Sequence, residues 1–273
     1  MSKRTREQLY EHYQIEKELA AKLKHSSKAE RMKLYKSLYD ELFKRVPNHP
    51  QLTIRNDHDK QSFLVRLQME LLSKFLTPEQ TFLEIGCGNC CLSFEVSKYV
   101  RNVYGVDVSK VVTDNVNVPN NFELIISDGI SIAVPAESID IAYSNQLLEH
   151  LHPEDMMEHL QQVYRILVVG GKYICITPHR YMGPHDISGY FENEAKGFHL
   201  HEYTNKELSN LFKITGFSNV RSYMRVRGYY ANLSTYPAIF VENLIESIPH
   251  GIRKKISRTI FKNVLAIRLI ATK

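Results

Sequence analysis

The sequence predicts a doubly wound α/β protein built on a mostly parallel sheet, and three observations carry that reading. From Thr81 onward, short apolar runs alternate with helical stretches. A glycine-bearing turn, Glu84-Ile85-Gly86-Cys87-Gly88, closes the first of those runs. Acidic residues then stand at the ends of the next two, Asp107 after the second and Asp128 after the third. In open α/β sheets ligands sit beyond the carboxyl ends of the strands, where the first strand feeds its helix.

The candidate strands, in order, are TFLEI (81–85), VYGVD (103–107), FELIIS (122–127), IDIAYS (139–144) and KYICIT (172–177). Residues 153–167 read as a helix, and Gly170-Gly171 as the turn after it. Thr204 and Glu207 form a capping box that opens a helix over 204–215, with Gly216 as its stop. Residues 219–226 and 264–271 complete the strand set. Before Thr81 the chain reads as helical. In RMKLYKSLYDELFKRV the apolar positions fall at helical spacing until Pro47-Asn48-His49-Pro50 breaks the run. A further helix is expected from about Asp59 to Phe75.

Residues 1–46 carry 12 Lys+Arg against 7 Asp+Glu, and residues 249–273 carry 7 Lys+Arg and no acid. Since the whole chain has a net charge of +5, the body between these ends is acidic. Solvated helical faces account for such ends, with phosphate, anionic lipid or RNA as the minor alternatives. With no run near 18 apolar residues and no apolar leader at its start, the chain is expected to be cytoplasmic.

Glycine at 86 and 88 lets the backbone approach a ligand closely. Nineteen residues after Gly88, Asp107 is placed to accept hydrogen bonds from both hydroxyls of a ribose, and Asp128-Gly129 to meet an adenine amino group. Cys87, Cys90 and Cys91 crowd the same turn. A metal site would need two more ligands at suitable spacing, and there is no second Cys-x-x-Cys. A redox motif would need a different context. The cysteines read as bystanders, and no metal is expected.

The order E-x-G-x-G, strand-terminal Asp, Asp-Gly, S-N-Q-L-L-E-H-L and G-G-K-Y-I-C-I-T resembles the class I S-adenosylmethionine-dependent methyltransferases, most closely their small-molecule type 11/12 domains. The likeness covers roughly residues 60–225 and the last strand. It implies a Rossmann-like, seven-stranded, mostly parallel sheet with helices on both faces, plus an N-terminal helical extension and helical cap insertions. The extension would span 1–58 and the methyltransferase domain 59–273, with a lid at 178–203 and a helical insertion at 228–262.

The resemblance also implies roles. The cofactor would be S-adenosylmethionine, leaving as S-adenosylhomocysteine. Gly86, Cys87 and Gly88 would line its methionine part, and Glu84 would support its amino group. Asp107 would hold the ribose, Val108, Asp128 and Gly129 the adenine, and Asn145 would lie beneath the methyl. Two departures are visible. Cys90 stands where the family has its third glycine. A dinucleotide-binding turn, the nearest alternative, would need glycine at Cys91.

Ser144-Asn145-Gln146-Leu147 lacks the Asn/Asp-Pro-Pro-Tyr of amino-directed nucleic-acid enzymes, and Glu149 stands without the paired glutamate of arginine methyltransferases. These absences point to a small-molecule acceptor, a hydroxyl of a sugar, glycan precursor or secondary metabolite. A non-catalytic binding module and an RNA methyltransferase using the basic ends are the alternatives. The long segment 177–204 carries His179, His185, Asp186, Tyr190, His199 and His201 over the expected pocket. His185, with Asp186, is a candidate general base or half of a metal site, and His150 is the other candidate base. His199 and His201 read as structural. Within the insertion, Phe240, Leu244 and Ile248 fall at helical spacing, suited to cap packing, to peripheral membrane contact or to a homodimer.

Overall fold

In the computed structural model, residues 4–55, 57–109 and 117–273 are described. Residues 1–3, which open the expected extension, lie outside them. Four helices come first: α1 (Arg6–Lys24), α2 (Lys28–Arg45), α3 (Pro50–Arg55) and α4 (His58–Leu72). Capping boxes at Thr5/Gln8 and Ser27/Glu30 start α1 and α2. The alternating part follows with β1 (Thr81–Ile85), α5 (Cys91–Val96), β2 (Asn102–Asp107), β3 (Phe122–Ile126), β4 (Ile139–Asn145), α6 (Pro153–Ile166) and β5 (Leu167–Thr177). Next come α7 (Asn205–Thr215), β6 (Arg221–Val226), β7 (Tyr229–Ser234), α8 (Tyr236–Ile245), α9 (His250–Arg258), α10 (Lys262–Leu265) and β8 (Ile267–Thr272).

The sheet runs β3-β2-β1-β4-β5-β8-β6-β7. The first five strands are parallel, and β8 inserts antiparallel between β5 and β6. Side chains alternate between two cores, as a sheet covered on both faces requires. Leu83, Ala142, Tyr173 and Cys175 face one core, and Phe82, Ile141, Tyr143 and Ile174 face the other.

The expected mixed α/β architecture holds, with eight strands in place of seven. The additional strand, β7, occupies the first part of the expected helical insertion. It pairs with β6 through a two-residue turn, with Val226 opposite Tyr229, and Arg227 and Gly228 both take positive φ (+49° and +87°). That is the hairpin geometry usually signalled by Asn-Gly, and Arg-Gly hides it. The last strand is also shorter than expected, because residues 262–265 form α10. On α8 the spaced residues Phe240 and Leu244 point outward, and Ala238, Glu242 and Ile245 form the buried face.

The amino-terminal helices share the main core. Leu19, Leu23, Leu38 and Leu42 pack in one cluster with Leu83, Ile85 and Leu160. A buried ion pair pins them there. Arg31 Nε donates to Asp155 Oδ2 and its Nη2 to Asp155 Oδ1, each at 2.7 Å, and both residues are almost wholly buried. Tyr35 Oη donates to the same carboxylate at 3.0 Å and accepts from the His152 amide at 2.8 Å. Asp155→Ala would leave a buried guanidinium without its main counter-charge. We expect a loss of about 3–5 kcal/mol, read as a fall of about 10 °C in thermal midpoint. Pairing Asp155→Leu with Arg31→Met should recover most of it.

Candidate functional site

Where β1 leaves the sheet, three residues in five take left-handed backbone: Gly86 (φ +76°), Gly88 (φ +52°) and Cys90 (φ +55°). Gly86 N–H donates to Val106 O at 2.7 Å, and Gly88 N–H donates to Asp107 Oδ2 at 2.8 Å. The turn is thereby tied to the end of β2. A Cβ on Gly88 would meet nothing within 4 Å, so this backbone borders open space. Cys90 keeps the left-handed conformation where a glycine would hold it without strain, at a cost of about 1–2 kcal/mol.

Glu84 is buried beneath this turn and accepts from Ser93 Oγ at 2.5 Å. Burial pushes its carboxyl up to about 8, against the pull of the Ser93 bonds and with a further rise from the Asp107 charge. A buried carboxyl with no cation beside it among the described residues is suited to receive an ammonium group. Asp107 also accepts from the Ser109 amide at 3.1 Å through Oδ1. Val108 packs on the edge of the main core. Glu84, the open glycine backbone and Asp107 thus fit the amino-acid and ribose ends of S-adenosylmethionine.

Asp128, the residue expected at the adenine, has both carboxylate oxygens engaged locally. Asp128 Oδ1 accepts from the amides of Ile130 (2.9 Å) and Ser131 (2.7 Å), and Oδ2 accepts from Ser131 Oγ (2.8 Å). The carboxylate therefore caps its own loop. Gly129 (φ +94°) makes room for the Tyr35 ring, which a Cβ would meet at 2.7 Å. Asn145, at the end of β4, donates through Nδ2 to Gln68 Oε1 of α4 at 3.2 Å.

Cys87 and Cys90 lie with their sulfurs 3.5 Å apart, both buried, and all four cysteines are free. Their mutual contact and burial push the Cys87 thiol far above its ordinary range, so thiolate chemistry is disfavoured. Among the described residues, no cluster of metal-ligating groups contains a cysteine.

One residue past Asn145 the wall of a cavity of about 370 Å³ begins. Gln146, Glu149 and His150 come from the turn after β4. His185, Asp186, Phe198 and His199 come from the segment 178–203, and His12, Glu16, Tyr39 and His49 from the amino-terminal helices and the loop that follows α2. His150 and His185, the two candidate bases, thus meet in one cavity. Glu202 holds that segment's side of the cavity together. Its Oε1 bonds the His185 amide (2.7 Å) and His199 Nδ1 (2.8 Å), and its Oε2 lies 3.3 Å from His185 Nδ1. Burial raises the Glu202 carboxyl, but the two histidines outweigh it and hold it down at about 2.

His150 bonds the Phe198 carbonyl through Nδ1 at 2.9 Å, and burial, aided by the His199 charge, pushes it down to about 3. It stays neutral at physiological pH and is a weak base. Burial also lowers His199, yet the Glu202 bond and the charges of Glu149, Glu202 and Asp186 leave it raised. His201, by contrast, packs on Tyr203 and bonds Arg180, which agrees with a structural role. Sequence reasoning missed His12, Glu16, Tyr39, His49 and Glu202, and took His199 as structural. The first four arrive by folding from far along the chain and carry no local signal. Glu149 was visible beside His150.

A family model described as a methyltransferase domain matches residues 83–175, from the glycine turn to β5. The human eEF1A lysine and N-terminal methyltransferase is 25% identical over 150 residues, which cover 50% of this chain and 22% of that protein. The mouse EEF1A lysine methyltransferase 4 is 30% identical over 166 residues, covering 49% of this chain and 62% of that one. The chain therefore spans less than two thirds of either relative. Among solved structures, the complex between the Haloferax volcanii Trm112 methyltransferase activator and a methyltransferase superposes with a TM-score of 0.54 at 13% identity. The superposition covers 81% of this chain and 96% of that one, and at that identity it speaks for the fold.

Glu84 gives a pH test. Its folded value of about 8 exceeds its ordinary 4.5, so the folded protein holds the proton more tightly than the unfolded chain. Stability contributed by the neutral group is complete below about 4.5 and is lost as pH rises toward 8. A cofactor ammonium demands the ionised form, so cofactor binding below pH 8 should release a proton and tighten with rising pH. Calorimetry in buffers of different ionisation enthalpy measures that proton. Glu84→Gln should abolish its release and weaken binding at least about tenfold.

Proposed function

We propose that this chain is a class I S-adenosylmethionine-dependent methyltransferase and that it methylates a hydroxyl of a small polar acceptor, such as a sugar or a secondary metabolite, seated in the cavity beside Asn145. S-adenosylmethionine, when bound, supplies an electrophilic methyl group. The chain contributes position and a place for the acceptor's proton. The observation that carries the reading is His185 on the cavity wall, backed by the buried Glu202. Glu202 takes the Nδ1 proton of His185 in a hydrogen bond, which leaves the Nε2 lone pair as the base. That arrangement is the nucleophile-activating logic in which an acid orients the base. His185 Nε2 would take the acceptor's proton as the methyl passes from sulfur to oxygen, the electron pair of the broken carbon–sulfur bond staying with the sulfur, and Glu202 would stabilise the resulting imidazolium.

The names of the relatives favour a second acceptor, a lysine amino group of a protein. The carboxylates Glu149 and Asp186 on the same wall support it, since they would attract a cation. Transfer of labelled methyl to a panel of sugars and polyols, set against protein and lysine-peptide acceptors, separates the two readings. Labelling of protein alone would overturn the small-acceptor reading. With the working acceptor, His185→Ala is expected to lower kcat by about 10²-fold or more while leaving the cofactor dissociation constant unchanged. An unaltered kcat would remove His185 from the mechanism.

A further inference from the structure

We propose that Glu149, His150 and His199 form a binding site for a divalent transition-metal ion of the zinc class on the wall of the acceptor cavity. Each of the three offers a ligand atom, and these atoms lie within 4.8 Å of one another. His150 Nε2 and Glu149 Oε1 are 4.0 Å apart. Around an ion with bonds of roughly 2.0–2.1 Å, tetrahedral ligand atoms are about 3.3 Å apart. Side-chain adjustments of less than about 1 Å would therefore close the shell.

The donor atoms are already prepared. Glu149 is wholly buried, and its Oε2 accepts from Thr177 Oγ1 at 2.8 Å. Its Oε1 accepts no hydrogen bond among the described residues. A buried carboxylate oxygen without a partner costs free energy that a cation would offset. Each histidine engages its Nδ1, His150 with the Phe198 carbonyl at 2.9 Å and His199 with Glu202 Oε1 at 2.8 Å. Each bond fixes the Nδ1 proton and leaves Nε2 as the ligand atom, from which, at His199, an ion displaces the proton that the neighbouring carboxylates favour. A backbone carbonyl on one ring and a carboxylate on the other are the outer partners that metal-ligating histidines use. Two histidines and one carboxylate leave coordination positions open for oxygen donors from the cavity.

The nearby cluster of His12, Glu16 and His49 serves as the contrast. There Glu16 Oε1 is 2.7 Å from His12 Nε2, Glu16 Oε2 accepts from the Phe198 amide, and Arg4 sits 2.7 Å from His12 Nδ1. That cluster is satisfied internally and has a permanent cation beside it. The role of an ion in orienting a hydroxyl rests on the methyl-transfer reading, but the site itself does not.

Titration of the metal-stripped full-length protein with Zn²⁺ and Co²⁺ tests the site without any methyl acceptor. We expect one ion per chain, with the visible absorption of Co²⁺ bound to nitrogen and oxygen ligands. His199→Ala and the isosteric Glu149→Gln should each weaken binding by more than about 100-fold, and Glu202→Gln, an outer partner, by about 10–100-fold. His201→Ala should leave it unchanged. Glu149→Gln keeps the Thr177 contact and so carries the test if His199→Ala fails to fold. Absence of stoichiometric binding, or equal binding by wild type and Glu149→Gln, would overturn the assignment.

Discussion

A single buried ion pair, Arg31 with Asp155, decides where the cavity lies. The pair anchors α2 to the first turn of α6, directly after the turn that carries Glu149 and His150. Tyr35 hangs on the same carboxylate, and its ring fills the space beside Gly129. With α2 held there, Tyr39 stacks on Phe198 at 5.1 Å, and Glu16 of α1 accepts from the Phe198 amide. The amino-terminal helices thus close one side of the cleft that an open α/β sheet leaves at the carboxyl ends of its strands.

The segment 178–203 is held by charge as well as by apolar contact. Glu202 receives His185 and His199, while Glu242 of α8 receives His179 at 2.8 Å and both the amide and side chain of Asn205. Each buried carboxylate is shared among several donors, which is the condition under which buried charge is tolerated. The consequence for function is a cavity rich in imidazole whose rings cannot swing freely. Their outward nitrogens have set directions, and proton transfer and ligand binding depend on those directions.

Much of the fold was legible in the chain because local rules were obeyed along the sheet. The runs 81–85 and 103–107, the capping box at Thr204 and the stop at Gly216 could all be read from spacing and residue type, and the structure agrees. The strand β7 was not legible. Its turn is Arg227-Gly228, and its residues gain order from pairing with β6. The face of α8 was misread for a related reason. Glu242 is buried there because His179 and Asn205 meet it, which no periodicity of apolar residues reveals.

The sequence by itself determined the turn after β1. Gly86, Gly88, Asp107 and Glu84 lie close along the chain, and backbone freedom and strand ends dictate where they go. Only the tertiary structure decided the cavity. His12, His49 and Glu149 come from separate parts of the chain to meet His185 and His199 of the segment 178–203, and Gly129 makes room for Tyr35. A site assembled from distant elements is defined by packing, and packing has no signature in local spacing.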